Sequence, residues 1–146
     1  MRIVLQRVLE ASVTVDGTTV GAIGRGYLAL VGVGHADNEA TAVAMAKKTG
    51  ELRLFADAAG KMNLDVHQVG GSVLAVSQFT LLADCRKGRR PAFTDAALPE
   101  PARRIYEHYV RELEDRGLNV ETGIFAADMK VQLINDGPVT VVLDRV

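Results

Sequence analysis

The sequence predicts an α/β protein: one domain over residues 1–146, with a mixed, mostly antiparallel β-sheet, a barrel-like core and two main helices. Three observations predict it. Short β-branched segments alternate with Gly, Asp and Asn turn signals. The runs Tyr27–Val33 and Val73–Val76 are apolar without alternation, as strands covered on both faces are. Two other stretches carry helix start and stop signals. A chain of 146 residues can bury roughly two-thirds of the surface its unfolded form exposes around one core. With 48% apolar and 24% charged residues, its composition is that of a globular protein and excludes wholesale disorder.

Taken in order, Arg2–Leu9, Ser12–Val15 and Thr18–Ile23 read as strands, the last two joined by the hairpin signal Asp16-Gly17. Gly24-Arg25-Gly26 breaks the pattern before the buried strand Tyr27–Val33. Asp37 or Asn38 can cap a helix over Glu39–Thr49 that ends near Gly50, with Ala40, Val43, Ala44 and Lys47 on one stripe. Leu52–Phe55 reads as a short strand, Asp57–Gly60 as a turn and Val73–Thr80 as a strongly apolar strand leading to a basic loop that ends at Pro91. Pro99 and Pro101 open a second helix over Ala102–Arg116, whose Ile105, Tyr109 and Leu113 recur at helical spacing and face a core; Gly117 ends it. Leu118–Glu121, Met129–Ile134 and Val139–Leu143 supply the remaining strands.

Several chemistries are excluded by the residues. His35, His67 and His108 lack the spacing of a helical zinc site, and no cysteine pair accompanies them, so no metal is expected. Gly32-Val33-Gly34 follows a strand as a dinucleotide fingerprint would, but Asp37 stands where the third glycine belongs. Ser77 lacks the flanking glycines of a nucleophile elbow. Cys85, the single cysteine, has no adjacent histidine and cannot form an internal disulfide. No apolar run approaches a membrane span and no leader pattern precedes Ile3, so the chain is read as cytoplasmic, without a membrane partner. The net charge of −1 attracts no polyanion globally. Locally, Arg86-Lys87-Gly88-Arg89-Arg90 is either a solvated loop or a nucleic-acid contact.

Two segments remain. Asn135-Asp136-Gly137-Pro138-Val139-Thr140 lies between the last two strands; it is either an ordinary turn or a rigid pair of carbonyls able to select a ligand, because proline fixes its own φ and restricts the preceding residue. Ser77-Gln78-Phe79-Thr80-Leu81 places hydroxyl and amide side chains where an apolar strand leaves the core. With these two segments, Gln6-Arg7-Val8, Ala11-Ser12-Val13, Gly60-Lys61-Met62-Asn63-Leu64, Lys87-Gly88-Arg89-Arg90-Pro91, Thr122-Gly123 and Ala127-Asp128-Met129 occur in an order and spacing that closely resembles the D-aminoacyl-tRNA deacylase family, from end to end.

The resemblance implies a homodimer that hydrolyses the ester between a D-amino acid and the terminal ribose of tRNA, with no cofactor and with active sites at the dimer interface. It implies a site built from Ser77, Gln78, Phe79 and Thr80 of one subunit and a cis Gly137-Pro138 step from the other. Arg7 then holds the Gly-Pro loop, while Phe125 and Met129 line a pocket for the adenine at the tRNA 3′ end. In one departure, Ala126 stands where the family usually has glycine. An aminoacyl ester is already reactive, so water positioning and donation to an oxyanion from amides near Gln78, Phe79 and Thr80 are favoured over attack by Thr80. The Gly-Pro carbonyls are expected to exclude L-side chains and to leave glycyl-tRNA cleavable. The alternatives are a paralogous deacylase that edits a mischarged L-aminoacyl-tRNA and a noncatalytic RNA-binding module.

Overall fold

The computed structural model describes residues 1–145. Its elements run β1 (Arg2–Val15), β2 (Thr18–Ile23), β3 (Gly26–Gly32), α1 (Glu39–Glu51), β4 (Phe55–Ala56), β5 (Met62–Leu64), β6 (Ser72–Ser77), a 3-10 turn (Phe79–Leu82), α2 (Pro99–Asp115), β7 (Asn119–Thr122) and β8 (Lys130–Asp144). The main sheet is ordered β2-β1-β3-β6-β7, with β8 on the other side of β1. Within it β1 pairs antiparallel with β2, β3 and β8, whereas β3–β6 and β6–β7 are parallel. The expected α/β class, with a mostly antiparallel and barrel-like sheet and two helices, is therefore present.

The barrel-like shape has a local cause. A side chain on Gly21 of β2 would stand 2.5 Å from the Thr122 carbonyl oxygen of β7, so only a bare backbone lets the two edges curl toward each other. The β1–β2 hairpin turns through Asp16 and Gly17, both at positive φ (48° and 78°), as a type I′ turn requires. The predicted strands Arg2–Leu9 and Ser12–Val15 are one strand. Glu10 and Ala11 do not break it, because they pair with Ile134 and Leu133 of β8. Instead β1 changes partner on its other edge, from β3 over Arg2–Val8 to β2 over Ala11–Val15.

The last two predicted strands, Met129–Ile134 and Val139–Leu143, likewise merge into β8. Gln6 pairs with Thr140 and Val8 with Asn135, so Asp136, Gly137, Pro138 and Val139 stand opposite Arg7 alone. The Gly-Pro step is thus a bulge thrown out of a continuous ladder, not a turn between two strands.

Other boundaries moved for identifiable reasons. The expected strand Leu52–Phe55 is reduced to Phe55–Ala56: the Leu52 amide caps α1 by donating to Lys48 O, and the Leu54 carbonyl accepts from Arg7. β4 pairs instead with β5, which the sequence reading did not mark. The strand predicted over Val73–Thr80 stops at Ser77, because the Leu81 amide turns back onto Gln78 O at 3.2 Å and starts the 3-10 turn. α2 begins at Pro99, whose missing N–H is no loss in the first turn. Leu118, expected in a strand, returns its amide to Leu113 O behind Gly117, which sits at φ 87°.

Helix α1 is capped by Asn38, whose side chain accepts from Thr41 N while the Asn38 amide donates to Thr41 Oγ1. Asp37 is occupied elsewhere, accepting from Gly34 N and pairing with the Met1 ammonium. The buried face of α1 is Thr41, Ala42, Met45, Ala46 and Thr49, not the expected stripe of Ala40, Val43, Ala44 and Lys47. Thr49 explains the difference. Its hydroxyl donates to Met45 O and shares a 3.0 Å hydrogen bond with Tyr109, so a polar residue is satisfied inside the core. Helix α2 buries Ile105, Tyr109 and Leu113 as predicted.

Two apolar clusters result. The larger joins both helices to one face of the sheet through Tyr27, Ala29, Val31, Val73 and Ala75. The smaller, with Leu28, Leu74, Val76, Val8 and Val13, fills the concave side. β3 and β6 contribute to both, which is why their sequences lack alternation.

Candidate active site

A cavity of about 540 Å³ opens where β6 ends. One wall is the backbone and side chains of Ser77, Gln78 and Phe79; the opposite wall is Phe125 to Met129; and the start of α2 closes a third side. Each wall follows from local sequence. Gly32 of β3 has Gln78 O and Leu81 Cβ each 3.1 Å from where a Cβ would lie, so the absence of a side chain lets the 3-10 turn seat against the sheet. Gly123 serves the other wall: a Cβ there would come within 2.5 Å of Met129 Sδ. Phe125 is set between the Tyr106 ring, 6.1 Å away, and the Arg103 guanidinium, 4.9 Å from its centroid. Tyr106 in turn donates to Ala75 O at 2.9 Å, and burial raises its phenol above the ordinary pKa. Ala126, between Phe125 and Ala127, adopts φ 65°.

The backbone donors where β6 ends differ in their use. The Gln78 amide is used, donating to Val31 O at 2.8 Å. The amides of Phe79 and Thr80 begin the 3-10 turn and have no acceptor among the described residues, as expected of first-turn donors. Thr80 itself is exposed and does not line the cavity; its hydroxyl accepts from the Gln78 side-chain amide. Phe79, 54% exposed, meets Phe93 edge to face at 5.1 Å at the cavity mouth.

The second cluster lies apart from this cavity. Arg7 donates from Nε to Asp136 O at 3.1 Å and from Nη1 to Leu54 O at 2.6 Å, and pairs with the Asp136 carboxylate at 3.5 Å. Asn135 donates from Nδ2 to Arg7 O at 2.8 Å and to Val139 O at 3.0 Å, so both ends of the bulge are fastened. The Gly137–Pro138 peptide is cis, Gly137 has φ 133°, and both residues are exposed.

Five of the residues singled out from sequence, Ser77, Gln78, Phe79, Phe125 and Met129, therefore share one cavity. Thr80 sits just outside it. Arg7, Gly137 and Pro138 form a separate constellation in the same protomer and line no part of it. Phe93 and Arg103 were not foreseen. Phe93 lies two residues beyond Pro91, and Arg103 is on the polar face of α2 beside the core-facing Ala102, so neither carries a periodic signal. Among the described residues no cluster of His, Cys, Asp or Glu is placed to hold a metal ion, and no helix is long and apolar enough to cross a membrane.

Comparison with known proteins places this geometry. The family model described as D-Tyr-tRNA(Tyr) deacylase matches residues 4–144. The chain is 65% identical over 144 residues to the D-aminoacyl-tRNA deacylase of Rhodopirellula baltica, covering 99% of each, and 58% identical to that of Anaeromyxobacter dehalogenans, covering 99% of this chain and 97% of the relative. Among solved structures, the c-Myc DNA Unwinding Element Binding Protein superposes with a TM-score of 0.93 at 38% identity, over 99% of both chains. A probable eukaryotic D-amino acid tRNA deacylase shares the fold, with a TM-score of 0.85 at 14% identity over 99% of this chain and 98% of its own. A match that runs almost end to end at such identity leaves one assignment: the chain belongs to the D-Tyr-tRNA(Tyr) deacylase family.

Proposed function

We propose that this chain, acting as one domain, hydrolyses the ester bond of D-aminoacyl-tRNA and of glycyl-tRNA while rejecting L-aminoacyl-tRNA. The observation that carries the reading is the cavity with Phe79, whose amide is free, on one wall and Phe125 and Met129 on the other, the free Thr80 amide lying next in the chain just outside it. Its volume of about 540 Å³ suits a nucleoside-sized ligand, and an aromatic face with a thioether suits an unpaired adenine. With the 3′-terminal adenosine there, the ester carbonyl lies toward the amide-bearing wall. One such donor to a developing oxyanion contributes about 3 kcal/mol to the transition state.

The chemistry is positional. Ser77, Gln78, Phe79 and Thr80 act through backbone and hydrogen bonding, and a hydroxyl with no neighbouring base is a poor nucleophile near neutral pH. Thr80→Ala is expected to retain turnover within about tenfold of the parent, a barrier change of about 1.4 kcal/mol at most. Near-total loss with substrate affinity intact would overturn positional catalysis.

Chirality is assigned to Gly137 and Pro138, held by Arg7. Because they line no part of their own protomer's cavity and project outward on a fastened bulge, they serve a second subunit, and the working unit is a homodimer in the cytoplasm. Their carbonyls accept from the substrate's α-ammonium and occupy the space an L-side chain would need. Glycine presents no side chain to reject. Ester loss from D-tyrosyl-, L-tyrosyl- and glycyl-tRNA, measured for the parent and for the Gly137→Ala/Pro138→Ala double variant, tests this. Cleavage of the D- and glycyl-substrates alone is expected from the parent; equal cleavage of D- and L-tyrosyl-tRNA would sink it.

A further inference from the structure

We propose that Lys87, Arg89 and Arg90 form a phosphate clamp for the RNA backbone next to the cavity, a reading that rests on the deacylase function above. The segment Asp84–Ala92 is a built loop. Asp84 and Ala92 exchange both backbone hydrogen bonds, at 2.7 and 2.9 Å, and close its base. Gly88 turns the tip at φ 68°.

Within the loop the four cations are not equivalent. Arg86 is committed: its amide, Nε and Nη2 all donate to the Asp84 carboxylate at 3.0, 2.8 and 2.8 Å, and Arg86 holds that carboxyl below the usual carboxylate range. Its charge is matched and its role is to stiffen the loop. Lys87, Arg89 and Arg90 are exposed and make no ion pair or side-chain hydrogen bond among the described residues. Three unmatched cations thus project from a closed base in a protein whose net charge is only −1.

Placement gives the clamp its ligand. Ala92 leads directly into Phe93, which packs on Phe79 at the cavity mouth. The loop tip is four residues from the Asp84–Ala92 closure on either side, so it reaches at most about 14 Å from that closure, which Phe93 directly follows. An RNA end that places its last nucleoside in the cavity must carry its preceding phosphates out through this mouth. Unpaired guanidinium and ammonium groups meet them there, exchanging condensed counterions for fixed charge. The clamp therefore sets affinity for the polynucleotide, while the cavity sets chemistry on the ester.

The test compares two D-tyrosyl esters, one on full-length tRNA and one on adenosine alone, with the parent and a Lys87→Gln/Arg89→Gln/Arg90→Gln variant. The variant is expected to raise KM for the tRNA substrate by about tenfold or more and to lower the slope of log KM against log salt by about 2 to 3, with kcat unchanged. Its KM for the adenosine ester should match the parent's. An unchanged KM and salt slope on tRNA, or an equal rise in KM on both esters, would overturn the clamp. A parent protein inert toward both esters would instead remove the deacylase reading, and the clamp with it.

Discussion

Ala126 carries a backbone conformation that its side chain disfavours. At φ 65° an L-residue sets its Cβ against the neighbouring carbonyl, at about 1 kcal/mol, where glycine is unhindered. Glycine would lose more freedom on folding, which offsets part of that gain. Ala126→Gly is therefore expected to raise stability by between zero and about 1 kcal/mol with little effect on KM, as read by denaturant unfolding and ester turnover. A loss above about 1 kcal/mol would mean that the methyl group packs favourably, contrary to this account. The position was visible in the sequence as a departure from a family pattern, but its dihedral angle was not. The same division holds for the neighbouring wall. Phe125 and Met129 were readable because they belong to a motif, whereas Phe93 acquires its place only when the segment after the basic loop meets the cavity, and Arg103 only when α2 brings it over the Phe125 ring.

Elements were legible where hydrophobic period and turn chemistry agreed, as in the Asp16-Gly17 hairpin, the doubly covered β3 and the Ile105–Tyr109–Leu113 face of α2. They were misread where long-range hydrogen bonding decides. Nothing local says that Thr49 of α1 meets Tyr109, or that β1 keeps β8 continuous past a bulge. The 3-10 turn Phe79–Leu82 is another such case: read as the end of a strand, it is set by the contact of Gly32 with Gln78 and Leu81. That contact makes Gly32 an element-scale control on the site. A methyl group there would also meet the Leu82 side chain, which can move, but the Gln78 carbonyl, 3.1 Å away, is backbone and would have to shift with the amides that follow it. Gly32→Ala is expected to cost about 1–3 kcal/mol in stability and to lower kcat more than tenfold below the unfolding temperature. Thermal unfolding followed by circular dichroism, with turnover measured well below the transition, checks both; a normal kcat in a folded variant would show that the turn's position is not limiting.

Across the whole molecule, the three tyrosines join the layers that hold the two clusters of site residues in place. Tyr27 of β3 donates to Leu52 O at 3.4 Å, Tyr106 of α2 donates to Ala75 O of β6, and Tyr109 meets Thr49 of α1. All three phenols are pushed above their ordinary value of 10.0, in each case chiefly by burial. Asp65 adds to the rise at Tyr27 and Glu107 to that at Tyr106, while the Thr49 hydrogen bond opposes it at Tyr109. The sign follows from linkage. A group whose pKa is higher folded than unfolded favours the folded state while protonated, so its contribution is complete below pH 10 and declines as pH rises above that value. Because these are all the tyrosines of the chain, phenolate absorbance reports only on them. Alkaline titration is expected to give no phenolate signal near pH 10 while the protein remains folded, followed by a single steep rise that coincides with loss of the far-ultraviolet circular dichroism. Reversible ionisation near pH 10 with that dichroism intact would mean that the phenols are hydrated, and that the layer between sheet and helices is looser than the hydrogen bonds from Tyr27, Tyr106 and Tyr109 require.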